Sequence, residues 1–349
     1  MHDDLGAGPA VVMAHSRPNF FEHLHPPTIP ARSASFFYTF GLGGISLLLV
    51  LVIAVTGMLE MFVYQPSQEG AYNSVSEIAF EAPYGWFVRN LHYWAGQWLV
   101  VTATLHMARV VLTGGYKRRR GNWLIGVSLL ILVLLLDFTG LVLRWDADVS
   151  WALLVGTNLL KDIPVIGGAV YHLAVGGNEV GAATPVRFYG WHIAGLMVAL
   201  VTLGMWHLWR VRRDGGISHA DRRPRTDRSA LVRTEELATV VVLAALGLVS
   251  LLWDAPLGPP ADLSTPATHS SAPWIFLGVQ ELLRFTSPLL GGIVAPLIAV
   301  ALVAAIPYLV DRSDEGEGLW FNAPGRRAQL VFGGVMLVVA AIGLRGALR

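Results

Sequence analysis

Four histidines are spaced so that they could hold two transition-metal centres at two depths of a membrane. His92 and His106 lie 14 residues apart in one apolar stretch, and His192 and His207 lie 15 apart in another. On a helix rising about 1.5 Å per residue, each pair is separated by about 21 Å along the axis. At about 100° per residue, 14 or 15 steps bring the second imidazole back to within about 60° of the first. Each helix thus shows two imidazoles on one face, near opposite membrane surfaces. If the spans alternate in direction, these two run parallel, so His92 meets His192 at one level and His106 meets His207 at the other. Two stacked bis-imidazole sites are what a transmembrane electron path of two haems requires. Ligating side chains inside lipid are expensive and usually functional. A lone histidine in a membrane helix can instead be an interhelical hydrogen-bond donor, but four with matching separations argue against that.

A second spacing repeats the first. Gly43 and Gly57 are 14 residues apart, as are Gly126 and Gly140. Glycine at both levels of two flanking helices would let their backbones approach the edge of a flat macrocycle; ordinary small-residue helix packing is the alternative. Arg89, Arg109 and Arg187 lie close to the histidine levels, where guanidinium groups would offset propionate charge or simply anchor helices at the interface. The chain has eleven histidines and no cysteine, which excludes thiolate-held iron–sulfur clusters, disulfides and covalent c-type haem within it.

The elements that must position these residues are membrane helices. Of the 349 residues, 54% are hydrophobic and 14% charged, and the mean hydropathy is +0.54; a soluble domain is closer to a quarter charged. A span needs about 20 apolar residues. Seven stretches qualify: 36–63, 86–112, 122–143, 188–209, 237–253, 288–310 and 328–345. Pro296 and Pro307 predict a kink in the sixth. Lys117, Arg118, Arg119 and Arg120 follow the second span, and Arg210, Arg212, Arg213, Arg222, Arg223, Arg225, Arg228 and Arg233 follow the fourth. Alternation puts both loops on one side, which the positive-inside rule makes cytoplasmic, together with the N-terminus. The outer side then carries the long connections 64–85, 144–187 and 254–287. Residues 1–34 are polar and do not read as a signal peptide. The expected architecture is an all-α integral membrane protein. It has a cytoplasmic segment 1–35, a four-helix dihaem domain 36–212, a basic cytoplasmic linker 213–236 and a three-helix part 237–349.

Several runs carry a resemblance: LGGIS at 42–46, LTGGYK at 112–117, IPVIG at 163–167, TPVRFYGWH at 184–192 and GGIS at 215–218. With the histidine pattern, they resemble the cytochrome b family of Rieske/cytochrome b quinol oxidoreductases, both bc-type and bf-type. The ligand spacing is similar to the chloroplast and cyanobacterial branch. Residues 237–349 resemble, more weakly, the three-helix subunit that this branch keeps as a separate chain. The resemblance implies that His92 and His192 ligate an outer b haem and His106 and His207 an inner one. It also implies a cytochrome b subunit of a quinol:acceptor oxidoreductase in a bacterial cytoplasmic membrane, with a Rieske protein and a c-type cytochrome or equivalent as partners, assembled as a dimer. Its implied mechanism is bifurcated quinol oxidation near the outer surface, coupled to proton translocation.

Three departures mark this chain. The family's outer quinol site uses Pro-Glu-Trp-Tyr, whose Glu accepts a quinol proton; here the run is Ala272-Pro273-Trp274-Ile275. Glu281 and His269 are the candidates to replace that glutamate beside Trp274. Asp137 lies inside the third span, where a carboxylate is costly unless it pairs or moves protons; Arg144, which stands where the family has Pro, is its candidate partner. Gly41 occupies the position of the cysteine that attaches an extra haem in the chloroplast branch. The altered motif leaves open a dihaem conduit to a non-Rieske periplasmic enzyme, and a haem-free transporter or scaffold is a third reading, which the histidines oppose.

Overall fold

Residues 26–220, 224–262 and 272–348 are described by the computed structural model. Among them seven helices are long and apolar enough to cross a membrane. We label them α1 (Leu42–Glu60), α2 (Gly85–Leu112), α3 (Arg120–Val142), α4 (Thr184–Arg213), α5 (Arg228–Leu252), α6 (Leu289–Val310) and α7 (Arg326–Ala347). The single sheet among the described residues is a short antiparallel pair, β1 (Thr28–Pro30) with β2 (Arg225–Asp227), which straps the N-terminal segment to the connection before α5.

The fourth span extends four residues past its expected bounds at each end, to Thr184–Arg213, and two other starts shift further. The first span does not run from residue 36, because Phe40 (φ 52°) and Gly41 (φ 62°) are both left-handed and separate a turn at Phe36–Thr39 from α1. Phe40 tolerates this conformation among edge-on contacts with Phe36, Phe37 and Trp320. The fifth helix begins at Arg228 rather than 237. Its first turns are polar and rich in good helix formers, so the helix extends past the apolar stretch and shortens the linker.

Three apolar clusters organise the molecule. Leu49, Ala95, Leu99, Val133, Leu200 and Leu246 join α1 to α5 at mid-depth. On the arginine-rich side, Met107, Val111, Trp123, Val303, Ile306 and Phe332 join α2 and α3 to α6 and α7. On the opposite side, Ala71, Val142, Trp145, Leu153, Tyr171 and Phe188 pack the long loops against the bundle end. Those loops are themselves helical, at Gly70–Phe80, Ala147–Lys161 and Gly167–Val175. The expected irregularity of α6 takes the form of π turns at Leu289–Val294 and Ile306–Val310. They precede Pro296 and include Pro307, and such turns re-satisfy backbone groups that a proline frees.

Polar contacts fasten the last three helices to the first four. Lys117 and Asp311 form a buried ion pair (Nζ–Oδ2 2.6 Å), Tyr116 donates its hydroxyl to the same carboxylate oxygen at 2.5 Å, and Lys117 also donates to the Ser313 carbonyl at 3.0 Å. Burial, followed by the hydrogen bond to the carboxylate, pushes the Tyr116 phenol up, so it stays a donor. Lys117→Met would leave Asp311 buried without its cation, and should cost roughly 3–5 kcal/mol. K117M is expected to lower the melting temperature of the purified complex, and K117M/D311L to recover most of the loss; a K117M complex that melts like the parent would refute the clamp.

Candidate functional site

The fold brings the four histidines together in the expected pairs. The His92 and His192 rings stand 6.4 Å apart between centroids, and the His106 and His207 rings 6.5 Å. Both distances suit one metal ion between the rings. Metal–imidazole bonds of about 2 Å on each side would put the centres of two ligating rings about 6 Å apart. Among the described residues no group of three or more His, Cys, Asp or Glu converges on one point. Each pair therefore supplies two ligands only, which suits a metal whose remaining ligands come from a macrocycle.

The unequal spacings of 14 and 15 residues are reconciled by the backbone. Residues Trp191–Leu196, which include His192, form a π turn within α4. A π turn takes up about one extra residue relative to an α-helix. Fifteen residues on α4 thus cover nearly the rotation that 14 cover on α2, and both imidazole pairs align.

Each of the four glycines faces one of the four histidines. A Cβ at Gly57 would lie 2.9 Å from His92 Cε1, and one at Gly140 would lie 2.9 Å from His192 Cε1. At Gly43 the distance to His106 is 3.2 Å, and at Gly126 the distance to His207 is 3.7 Å. The flanking helices α1 and α3 therefore leave room beside the rings that almost any side chain would take away.

Two threonines that the spacing argument missed orient the first pair. Thr56 Oγ1 lies 3.0 Å from His92 Nδ1 and donates to the Val52 carbonyl at 2.7 Å. Thr139 Oγ1 lies 3.0 Å from His192 Nδ1 and donates to the Leu135 carbonyl at 2.9 Å. A hydroxyl has one hydrogen, and here it goes to the carbonyl, so the imidazole Nδ1 must donate. Nε2 then carries the free lone pair that a metal needs. The signal was a repeated Thr-Gly dipeptide, at 56–57 and 139–140. Neither Gly43 nor Gly126 has a threonine before it.

The arginines divide by side. Arg89 donates to the Ala255 and Pro256 carbonyls at 2.8 and 2.6 Å, so it pins the loop after α5 rather than facing open space. Arg187 is exposed and lies against Gly176. Arg109 stacks over the Tyr38 ring at 4.6 Å, and its Nη2 is buried without a hydrogen-bond partner among the described residues. Arg210, read from the sequence only as a loop charge, has a buried Nε without a hydrogen-bond partner among the described residues and lies against Gly121. Buried guanidinium nitrogens beside His106 and His207 suit the acidic edge of a haem. Taken together, the ring separations, glycine clearances and orphaned cations fit the group.

The remaining candidates gather in part. Trp274 reaches Gln97 on α2, and Gln97 reaches Asp137 on α3. The expected Arg144–Asp137 pair does not form: Arg144 binds Asp146 at 2.5 Å, because Asp146 is fully buried and also caps the helix at Ala147 by accepting from the Val149 amide. Glu281 is buried but ion-paired to Arg345 on α7 (2.9 Å) and to Arg284 (3.5 Å). His269 lies outside the described residues.

Residues 29–215 match the family described as Cytochrome b/b6/petB. A cytochrome b6 of Prochlorococcus marinus (strain MIT 9515) is 36% identical over 175 residues, which is 50% of this chain and 80% of that one. A cytochrome b6 of Acaryochloris marina (strain MBIC 11017) is 34% identical over 175 residues, 50% of this chain and 81% of its own length. A solved structure described as a hyperthermophilic respiratory Complex III shares the fold with a TM-score of 0.74 and 22% identity, covering 88% of this chain and 84% of that one. The likeness therefore extends past the matched family segment into the last three helices. With its histidine pairs set between glycine-faced helices and this match across more than half its length, the chain belongs to the cytochrome b/b6 family, the cytochrome b subunits of quinol oxidoreductases.

Proposed function

We propose that this subunit carries two b haems, one between His92 and His192 and one between His106 and His207, and connects quinol oxidation on one face of the membrane to the other. The single observation that carries the reading is the pair of imidazole gaps, 6.4 and 6.5 Å between ring centres, at two depths of one four-helix bundle. Bound there, haem supplies reversible one-electron transfer. The chain's own part is to hold the rings with Nε2 free, keep helix side chains out of the gaps, and present Arg109 and Arg210 to the haem edge at the His106–His207 level.

The orientation follows from charge. The clusters after α2 and α4 lie on one side, which the positive-inside rule assigns to the cytoplasm of a bacterial inner membrane, together with the N-terminus. The His92–His192 level is then the outer one, beneath the long helical loops and close to Trp274. A quinol oxidised there needs a second one-electron acceptor. The chain has no cysteine for an iron–sulfur cluster, so that acceptor belongs to a partner. A Rieske protein and a c-type cytochrome or equivalent meet the requirement, and proton release outside would accompany the transfer.

A reduced-minus-oxidised spectrum with pyridine-haem quantification tests the count. Two b haems per chain are expected, falling to one in His192→Leu; one or none in the parent would refute the reading. Glycine clearances predict a graded series. G57A and G140A should lose haem at the outer level, whereas G126A, at ordinary contact distance, should keep its content. Thr139→Val should raise the outer haem's reduction potential, because a donating Nδ1–H makes the imidazole a stronger ligand for the oxidised metal. The expected shift, from a hydrogen bond of about 0.5–1.5 kcal/mol, is on the order of 20–60 mV by redox titration.

A further inference from the structure

Asp137 is the acidic residue that α3 holds within its membrane-spanning length, and a short relay ties it to the turn at Trp274–Phe276. Gln97 Nε2 donates to Asp137 Oδ1 at 2.8 Å, and Gln97 Oε1 accepts the Trp274 indole N–H at 2.6 Å. An indole nitrogen can only donate, so the amide's carbonyl must face Trp274 and its NH2 must face Asp137. The direction of the relay is thereby determined, and Asp137 sits at its accepting end. Oδ2, the other oxygen, is buried and has no hydrogen-bond partner among the described residues. Arg144, the cation expected from the sequence to pair with it, is engaged by Asp146. A carboxylate in lipid with one oxygen unsatisfied is costly, and such groups are usually kept for function.

The surroundings place Asp137 beside the His192 level and the Trp274–Phe276 turn. Asp137 lies three residues before Gly140, so it sits about one helical turn from the His192 level. The next residue, Phe138, packs edge-on against Phe276 at 5.6 Å, which closes α3 onto the Trp274–Phe276 turn. On the α2 side Gly96 backs onto Oδ1, which a Cβ there would meet only at an ordinary contact distance of 3.8 Å. Pro273 in that turn offers no proton acceptor, and Glu281 is tied to α7 through Arg345.

We infer that Asp137 is a catalytic residue of the outer quinol site: its Oδ2 accepts a hydrogen bond from one quinol hydroxyl and takes that proton during oxidation. The inference rests on the functional reading above. The quinol O–H bond breaks, an O–H bond forms on Oδ2, and the electron passes to a one-electron acceptor of the complex, either the partner's iron–sulfur centre or the outer haem. Complete oxidation of a quinol releases two electrons and two protons, and Asp137 takes one of the protons. Trp274 and Gln97 are positioning residues that hold the carboxyl group with Oδ2 turned to the substrate.

The test compares Asp137→Asn and Asp137→Glu in the complete complex with its partner subunits. Quinol oxidation and the haem spectrum and potentials are measured together. D137N should keep both haem absorbances and potentials while quinol turnover falls on the order of a hundredfold, the usual loss when a positioned base is removed. D137E, which keeps the acceptor, should retain turnover within a few fold. D137N turning over at the parent rate overturns the proposal, as does D137E falling as far as D137N. If D137N fails to assemble, Asp137→Ser replaces it with the same two arms. A parent complex with two haems that oxidises no quinol would overturn the functional reading itself, an outcome distinct from an unaffected D137N.

Discussion

The structure depends on keeping two flat gaps open between α2 and α4. Each gap is bounded by two imidazoles about 6.5 Å apart between ring centres, and each must stay free of side chains while the helices around it pack tightly enough to hold the bundle. Glycine on the flanking helices meets both demands. At Gly57 and Gly140 even a methyl group would come within 2.9 Å of a histidine ring. The π turn at Trp191–Leu196 serves the same alignment, since it brings the His192 ring into register with His92.

Lipid offers little hydrophobic reason for one helix to prefer another, so association relies on packing and on polar contacts. The last three helices are attached accordingly. Arg89 and Asn90 near the start of α2 hold the end of α5 and the loop after it through backbone carbonyls and an amide, and Lys117, Tyr116 and Asp311 join the other end. Trp274 and Gln97 make the third attachment, one to two helical turns along α2 from His92. Two of these contacts are structural fasteners, whereas the third ends on a carboxylate with an open oxygen.

The two levels are not equivalent. At the His92–His192 level threonine hydroxyls receive the Nδ1 protons of both rings, and the nearby Arg89 is already committed to backbone carbonyls. At the His106–His207 level no threonine precedes the glycines, and two buried guanidinium groups retain nitrogens without a partner among the described residues. On the reading proposed above, a more basic imidazole pair at one level and buried positive charge at the other would favour a lower haem potential at the His92–His192 level and a higher one at the His106–His207 level.

Much of this was legible in the chain itself. Periodicity, spacing and charge determine seven spans, the two histidine levels, the pairing of His92 with His192 and of His106 with His207, and the four glycines, because helical rise and rotation convert residue numbers directly into depth and face. Contacts between distant segments have no such conversion. Only the tertiary structure showed that Arg144 belongs to Asp146, that Arg89 pins a loop 166 residues away, and that Glu281 is held by α7. It also revealed the threonine partners, since a hydroxyl's target depends on rotamer and neighbour. The relay from Trp274 through Gln97 to Asp137 joins three segments whose meeting is decided by how the helices pack, and no local pattern encodes it.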